Sequence, residues 1–192
     1  MKGRNLPNLI SLFRVLLVGP VVVLLLEQHE QTALALFAIA GLSDALDGYL
    51  AKRYGWTSRA GAILDPLADK LLLVATYVTL GWLAALPLWL VAAVLGRDLV
   101  IVAGVVAYHL RFGPFQPQPS LISKINTAAQ IGLVLAVIFD RGVYRLGAAW
   151  LTPLTDVVLV TTVASGVGYI GIWGRRAWRA GRGPRRVARR CG

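Results

Sequence analysis

The chain has 192 residues, of which 57% are hydrophobic and only 15% charged. A soluble domain is about 45–50% apolar and about 25% charged, so composition excludes an ordinary water-soluble domain, a disordered chain and a coiled coil. Lys and Arg number 20 against 9 Asp and Glu, a formal net charge of +11, and the single cysteine, Cys191, excludes a disulfide framework.

Stretches apolar enough to cross about 30 Å of hydrocarbon, roughly 20 residues each, recur six times. They are predicted at 8–27, 32–53, 62–85, 87–109, 121–139 and 149–173. The first follows Lys2 and Arg4 and is interrupted by Arg14. No small-x-small cleavage site precedes Glu27, so it reads as a retained anchor and not a signal peptide. The second ends at Lys52 and Arg53, and a short connection around Gly55–Arg59 makes spans 2 and 3 antiparallel neighbours. Pro66 biases Asp65 away from helical backbone, which predicts a helix start or kink there. The fourth span holds Arg97, and the connection Phe112–Ser120, with three prolines, is neither helix nor strand. The fifth opens on Ser123 and Lys124. The sixth runs into a tail with eight arginines between Arg175 and Arg190.

Backbone groups in lipid must be bonded within the segment, and long apolar runs without strand alternation mean helices. The fold class expected is an all-α integral membrane protein: six transmembrane helices in one bundle over 1–173, then an Arg-rich cytoplasmic tail over 174–192. Lys2, Arg4, Lys52, Arg53, Arg59, Arg111, Lys124 and the tail all fall on one side. The positive-inside rule puts that side, and both termini, in the cytoplasm. The tail suits anionic lipid headgroups better than nucleic acid.

The chemistry lies in the carboxylates. Asp44, Asp47, Asp65 and Asp69 fall within 26 residues, at the facing ends of spans 2 and 3. An ionised group at the centre of a membrane helix costs about 2.5–3.5 kcal/mol on insertion scales, so four together need a cation. Asp44 and Asp47 are i, i+3, and Asp65 and Asp69 are i, i+4, so each pair shares a helical face. An all-oxygen donor set without His or Cys suits Mg²⁺, Mn²⁺ or Ca²⁺ and not zinc. Gly48 and Gly61 let backbone or substrate approach beside the acids. Structural ion pairs or the proton relay of a metal- or proton-coupled transporter are the competing readings of the same acids.

The run Asp44-Ala-Leu-Asp47-Gly48-Tyr-Leu-Ala51-Lys52, eight residues, Gly61, three residues, Asp65, three residues and Asp69 resembles the signature of the CDP-alcohol phosphatidyltransferases. One position departs: the family's arginine is Lys52 here, which keeps the charge but loses the planar fork suited to phosphate. The likeness extends over residues 5–137. Asn5-Leu-Pro7-Asn8 through Arg14, Gly96-Arg97-Asp98, and Ser123-Lys124-Ile125-Asn126-Thr127 are similar to the branch that uses glycerol-type acceptors. The resemblance implies transfer of a phosphatidyl group from CDP-diacylglycerol to an alcohol with release of CMP. It implies two divalent ions, Mg²⁺ or Mn²⁺, on Asp44, Asp47, Asp65 and Asp69, with Asp69 as general base. Asn8, Gly48, Lys52 and Gly61 would then meet CDP-diacylglycerol, and Arg14, Arg97 and Lys124 the acceptor. Arg97 and Asp98, as sequence neighbours, do not face each other directly, which is expected to leave Arg97 for a phosphate.

Two acceptors compete. Glycerol-3-phosphate would give phosphatidylglycerophosphate, and phosphatidylglycerol would give cardiolipin. Asn126 stands where the former subgroup commonly has a second lysine, which favours cardiolipin. A homodimer in a bacterial inner membrane, with its active site on the cytoplasmic side, completes the expectation.

Overall fold

The computed structural model describes residues 6–54, 61–112 and 121–181, with side-chain surroundings given for 12–43, 70–104, 106, 121–169 and 171. Six helices account for the regular structure among the described residues: α1 Leu6–Leu26, α2 Glu30–Tyr54, α3 Gly61–Trp82, α4 Leu88–Phe112, α5 Leu121–Gly142 and α6 Ala148–Gly181. Each coincides with one predicted apolar stretch. α6 continues eight residues past the expected end of the sixth span, so the chain is still helical where the Arg-rich tail was expected to begin. α3 runs through Asp65 and Pro66, so Pro66 lies inside the helix and not at its start. Its missing N–H removes only the bond to the Ala62 carbonyl.

α1 packs against both α2 and α3, α2 against α5, and α6 against α4 and α5. The direct pairing of α2 with α3 expected from their short connection is not seen among the described residues, where α1 lies against both instead. The apolar core draws on every helix: Leu17, Val21 and Leu25 of α1, Phe37 of α2, Tyr77 and Leu80 of α3, Leu90 and Val94 of α4, Leu133 and Ile138 of α5, and Val158 of α6. Leu16, Leu42, Leu99, Val102, Leu121, Val160 and Val167 point outward and are more than half exposed. Arg14, Arg97, Asn126, Gln130, Thr162 and Ser165 are buried. Apolar outside and polar inside is the distribution a lipid solvent imposes. By length and apolarity, two described segments suffice to cross a membrane, Leu121–Gly142 and Ala148–Tyr169. Three shorter apolar segments lie in α1, α2 and α3.

Two helices stop by the same device. After α1, the amide of His29 bonds the Leu24 carbonyl and that of Gln28 bonds Leu25, with Gln28 at φ 60°. After α3, the amides of Ala85 and Ala84 bond Leu80 and Gly81, with Ala84 at φ 53°. Both are left-handed caps that normally take glycine. Ala84 is exposed, so Ala84→Gly relieves the left-handed strain without opening a cavity. It should stabilise the protein by about 1 kcal/mol, read as a higher melting temperature in detergent.

At the same end of the bundle α2 and α5 are clasped. The Arg141 guanidinium pairs with Glu30 at 3.1 Å, and Gln31 Nε2 donates to the Gly142 carbonyl at 2.8 Å. A Cβ on Gly142 would stand 2.7 Å from Glu30 Cβ and 3.0 Å from the Gln31 amide nitrogen. Gly142→Ala must therefore part the two helices and should cost about 1–3 kcal/mol, measurable as a lowered melting temperature. Asp140 closes the loop beyond, its Oδ1 accepting from the amides of Leu146 and Gly147.

Candidate active site

The clasp and the interior contacts fix the register of the helices. Glu30 meets Arg141, so α2 and α5 run in opposite directions. Asp44 and Asp47 follow Glu30 by 14 and 17 residues, and the same steps back from Arg141 reach Thr127 and Lys124. The Tyr77 hydroxyl donates to the Gln130 carbonyl at 3.2 Å. Seven residues earlier on each helix stand Lys70 and Ser123. At a common rise of 1.5 Å per residue, the backbones of Asp47, Asp69, Lys70, Ser123 and Lys124 lie at nearly one level of the bundle. Asp44 and Asp65 lie about a turn to either side. Asp44, Asp47, Gly48 and Lys52 are on α2 and Gly61, Asp65 and Asp69 on α3, while Asn8 is on α1. Their side chains fall outside the described residues, and so does the expected convergence of the four carboxylates. Among the described residues there is no group of three or more His, Cys, Asp or Glu that could hold a metal.

At this level the described side chains build a charged hub across four helices. Arg97, 7% exposed on α4, donates from Nη1 to Asp98 Oδ1 at 2.7 Å. Its Nη2 donates to Ser123 Oγ of α5 at 2.6 Å and to Ser165 Oγ of α6 at 2.5 Å. The second carboxylate oxygen of Asp98 takes the ammonium of Lys70 from α3. The expectation that Arg97 and Asp98 do not meet is therefore wrong. Their Cβ vectors do diverge around the helix, but the guanidinium is long enough to fold back onto its neighbour. Arg97 is engaged, not free, although its Nε has no partner among the described residues. In a buried setting a guanidinium needs such acceptors, since an unpaired buried charge is costly.

One turn along α5, Asn126 is wholly buried, and its Oδ1 accepts from Thr161 at 2.9 Å and Thr162 at 2.8 Å, both on α6. Lys124 points the other way. It is exposed and lines an open groove of about 390 Å³ with Ser123, Thr127, Ala128 and Ile131. Arg14 is buried in α1, 2% exposed.

Against this geometry the known proteins are informative. The sequence model for CDP-alcohol phosphatidyltransferases matches residues 4–168. The chain belongs to the CDP-alcohol phosphatidyltransferase family. It is 34% identical over 181 residues to the CMP-forming cardiolipin synthase of Rattus norvegicus, covering 86% of this chain and 60% of that protein. It is 34% identical over 161 residues to the Streptomyces coelicolor cardiolipin synthase (CMP-forming), covering 80% and 71%. To the CDP-diacylglycerol–glycerol-3-phosphate 3-phosphatidyltransferase of Aquifex aeolicus it is 33% identical over 175 residues, covering 86% and 93%.

For a CDP-alcohol phosphatidyltransferase the four carboxylates of the signature would make a chemically apt donor set. Four carboxylates and no softer ligand suit a hard divalent ion. What the sequence left unseen in this family member is the hub. Ser123, Ser165 and Lys70 carry no motif that ties them to Arg97 or Asp98. The only available signal was energetic: a charged pair within an apolar span has to find partners on neighbouring helices.

Proposed function

We propose that this family member is an integral-membrane phosphatidyltransferase that transfers the phosphatidyl group of CDP-diacylglycerol to phosphatidylglycerol, forming cardiolipin and releasing CMP. The observation that carries the class is the Asp44–Asp69 signature, present at every fixed position but Lys52, in a chain that matches the family over residues 4–168. Family membership favours transfer over a metal- or proton-coupled transporter built on the same acids. In this reading residues 1–173 form the membrane domain, all six helices cross the inner membrane of a bacterium, and both termini and the motif-bearing ends face the cytoplasm. The basic segment from 174 onward contacts anionic lipid, and the protein acts as a homodimer.

Asp44, Asp47, Asp65 and Asp69 would hold Mg²⁺ or Mn²⁺. Such ions, when bound, neutralise the diphosphate and stabilise the departing CMP oxygen. Asp69 accepts the proton of the acceptor hydroxyl as that oxygen bonds the diacylglycerol-bearing phosphorus. The phosphorus–oxygen bond to CMP breaks, and CMP leaves with the electron pair. Gly48 and Gly61 leave room for the diphosphate, and Lys52 and Asn8 offer it a cation and an amide. The outward apolar faces let the acyl chains stay in lipid.

The acceptor assignment rests on which cations are available. Asn126 is tied to α6 by two threonines and adds no charge. Arg97 is occupied by Asp98 and two serines, so its part in acceptor binding runs through the Ser123 it holds in place. Arg14 remains a buried cation on the N-terminal side. Among the described residues that line the open groove at the start of α5, Lys124 is the one that carries a positive charge. One cation suits the single negative charge of phosphatidylglycerol better than the dianion of glycerol-3-phosphate. The likeness to the Aquifex protein along 93% of that protein's length supports glycerol-3-phosphate as the second reading.

The test is CMP release by purified protein in micelles with CDP-diacylglycerol and Mg²⁺, offering each acceptor separately and identifying the lipid product. Release with phosphatidylglycerol alone supports the first reading and release with glycerol-3-phosphate alone the second. Release with neither acceptor overturns both.

A further inference from the structure

The described hub is unbalanced in charge. Asp98 is 13% exposed and holds two cations, Arg97 and Lys70. Arg97 has two serine hydroxyls besides Asp98. Lys70 has Asp98 as its one described ion-pair partner and is 43% exposed, at the end of a flexible four-carbon stem. It follows Asp69 directly and Asp65 by five residues on the same helix. A lysine in that position can reach carboxylates on its own helix or on the next one.

We infer that Asp98 is a positioning residue which tethers Lys70 to α4 and so keeps its ammonium from occupying the carboxylates of Asp65 and Asp69 in place of the divalent ion. The inference rests on the metal-binding reading of those acids given above and adds a residue to it. An ammonium has one charge and three donors and readily pairs with a carboxylate. One residue from Asp69 and five from Asp65, it would both repel a divalent ion held there and compete for its ligands. Bonding to Asp98, across the α3–α4 interface, gives it a better-placed partner. Arg97 keeps Asp98 aimed by holding the other oxygen, and Ser123 and Ser165 hold Arg97 in turn.

The test is Mn²⁺ binding by the full-length protein in detergent, followed by the loss of the free-ion electron paramagnetic resonance signal, which requires no turnover. Asp98→Asn should weaken Mn²⁺ about tenfold by releasing the ammonium. Lys70→Met should bind Mn²⁺ within about twofold of wild type, since it removes the competitor along with its tether. The double variant should also return to within about twofold, although Arg97 has still lost Asp98. A purely structural tie between α3 and α4 predicts the opposite pattern: Lys70→Met as harmful as Asp98→Asn, and no recovery in the double variant. Either result overturns the tether, as does an unchanged affinity in Asp98→Asn. If Asp98→Asn does not fold, the Lys70→Met single variant decides, because weakened binding there contradicts the inference. Wild-type protein that binds no Mn²⁺ overturns the functional reading and the tether with it. Wild-type binding with a failed variant pattern overturns the tether alone.

Discussion

Asp69→Asn is expected to reduce CMP release about a thousandfold while leaving helix content and melting temperature close to those of wild type. The amide keeps the shape of the side chain but cannot accept the proton of the acceptor hydroxyl, and it is a poorer ligand for a hard cation. The two losses separate experimentally. If Asp69 serves mainly as a ligand, raising Mg²⁺ should recover much of the rate. If it serves as the base, saturating Mg²⁺ should leave the rate low, and the fall should appear in kcat with little change in KM for CDP-diacylglycerol. Retention of activity within tenfold of wild type at ordinary Mg²⁺ would remove Asp69 from the mechanism.

The second large effect is on stability. Arg97→Met leaves Asp98 with one cation in place of two and strips a donor from both Ser123 and Ser165 in a buried setting. Removing one partner of a buried pair costs about 3–5 kcal/mol. For a chain of this length that corresponds to a fall of about 10 °C in melting temperature. Arg97→Lys should recover less than half of it, because an ammonium lacks the planar fork that reaches three acceptors at once. Adding Asp98→Asn to Arg97→Met should not restore stability, because Asp98 still has Lys70 as its partner and the second change breaks that pair too. An Arg97 that only clamped the acceptor would behave differently. Its replacement would raise KM for the acceptor and leave the melting temperature where it was.

The positions of the six helices were legible because hydrocarbon-length apolar runs are long and separated by clear punctuation, such as the prolines of Phe112–Ser120. Their ends were less legible. α3 stops at Trp82 instead of the expected 85, at a left-handed cap on Ala84. Neither glycine nor asparagine marks that stop. α6 runs on to Gly181, since arginine and alanine are good helix formers and nothing between 173 and Gly181 forbids continuation. That Asp44 and Asp47 share one helix and Asp65 and Asp69 another was legible, because i, i+3 and i, i+4 pairs are local facts about one helix; whether the two pairs meet lies outside the described residues. The hub was not. It is made from contacts 26 and 68 residues apart, and single serines in apolar helices carry no pattern. The Glu30–Arg141 clasp, across 111 residues, was hidden for the same reason.

α6 is 34 residues long, about 51 Å at 1.5 Å per residue, against about 30 Å of hydrocarbon. Arg175 stands ten residues beyond Ser165 on one unbroken helix, about 15 Å farther along its axis. The first arginines of the basic segment are thus mounted on a ruler whose other mark is the hub. A flexible linker would let them settle at any height, whereas this helix fixes both their distance and their bearing. One residue inserted between 169 and 175 would turn them by about 100° and shift them by about 1.5 Å, with no change in composition or charge.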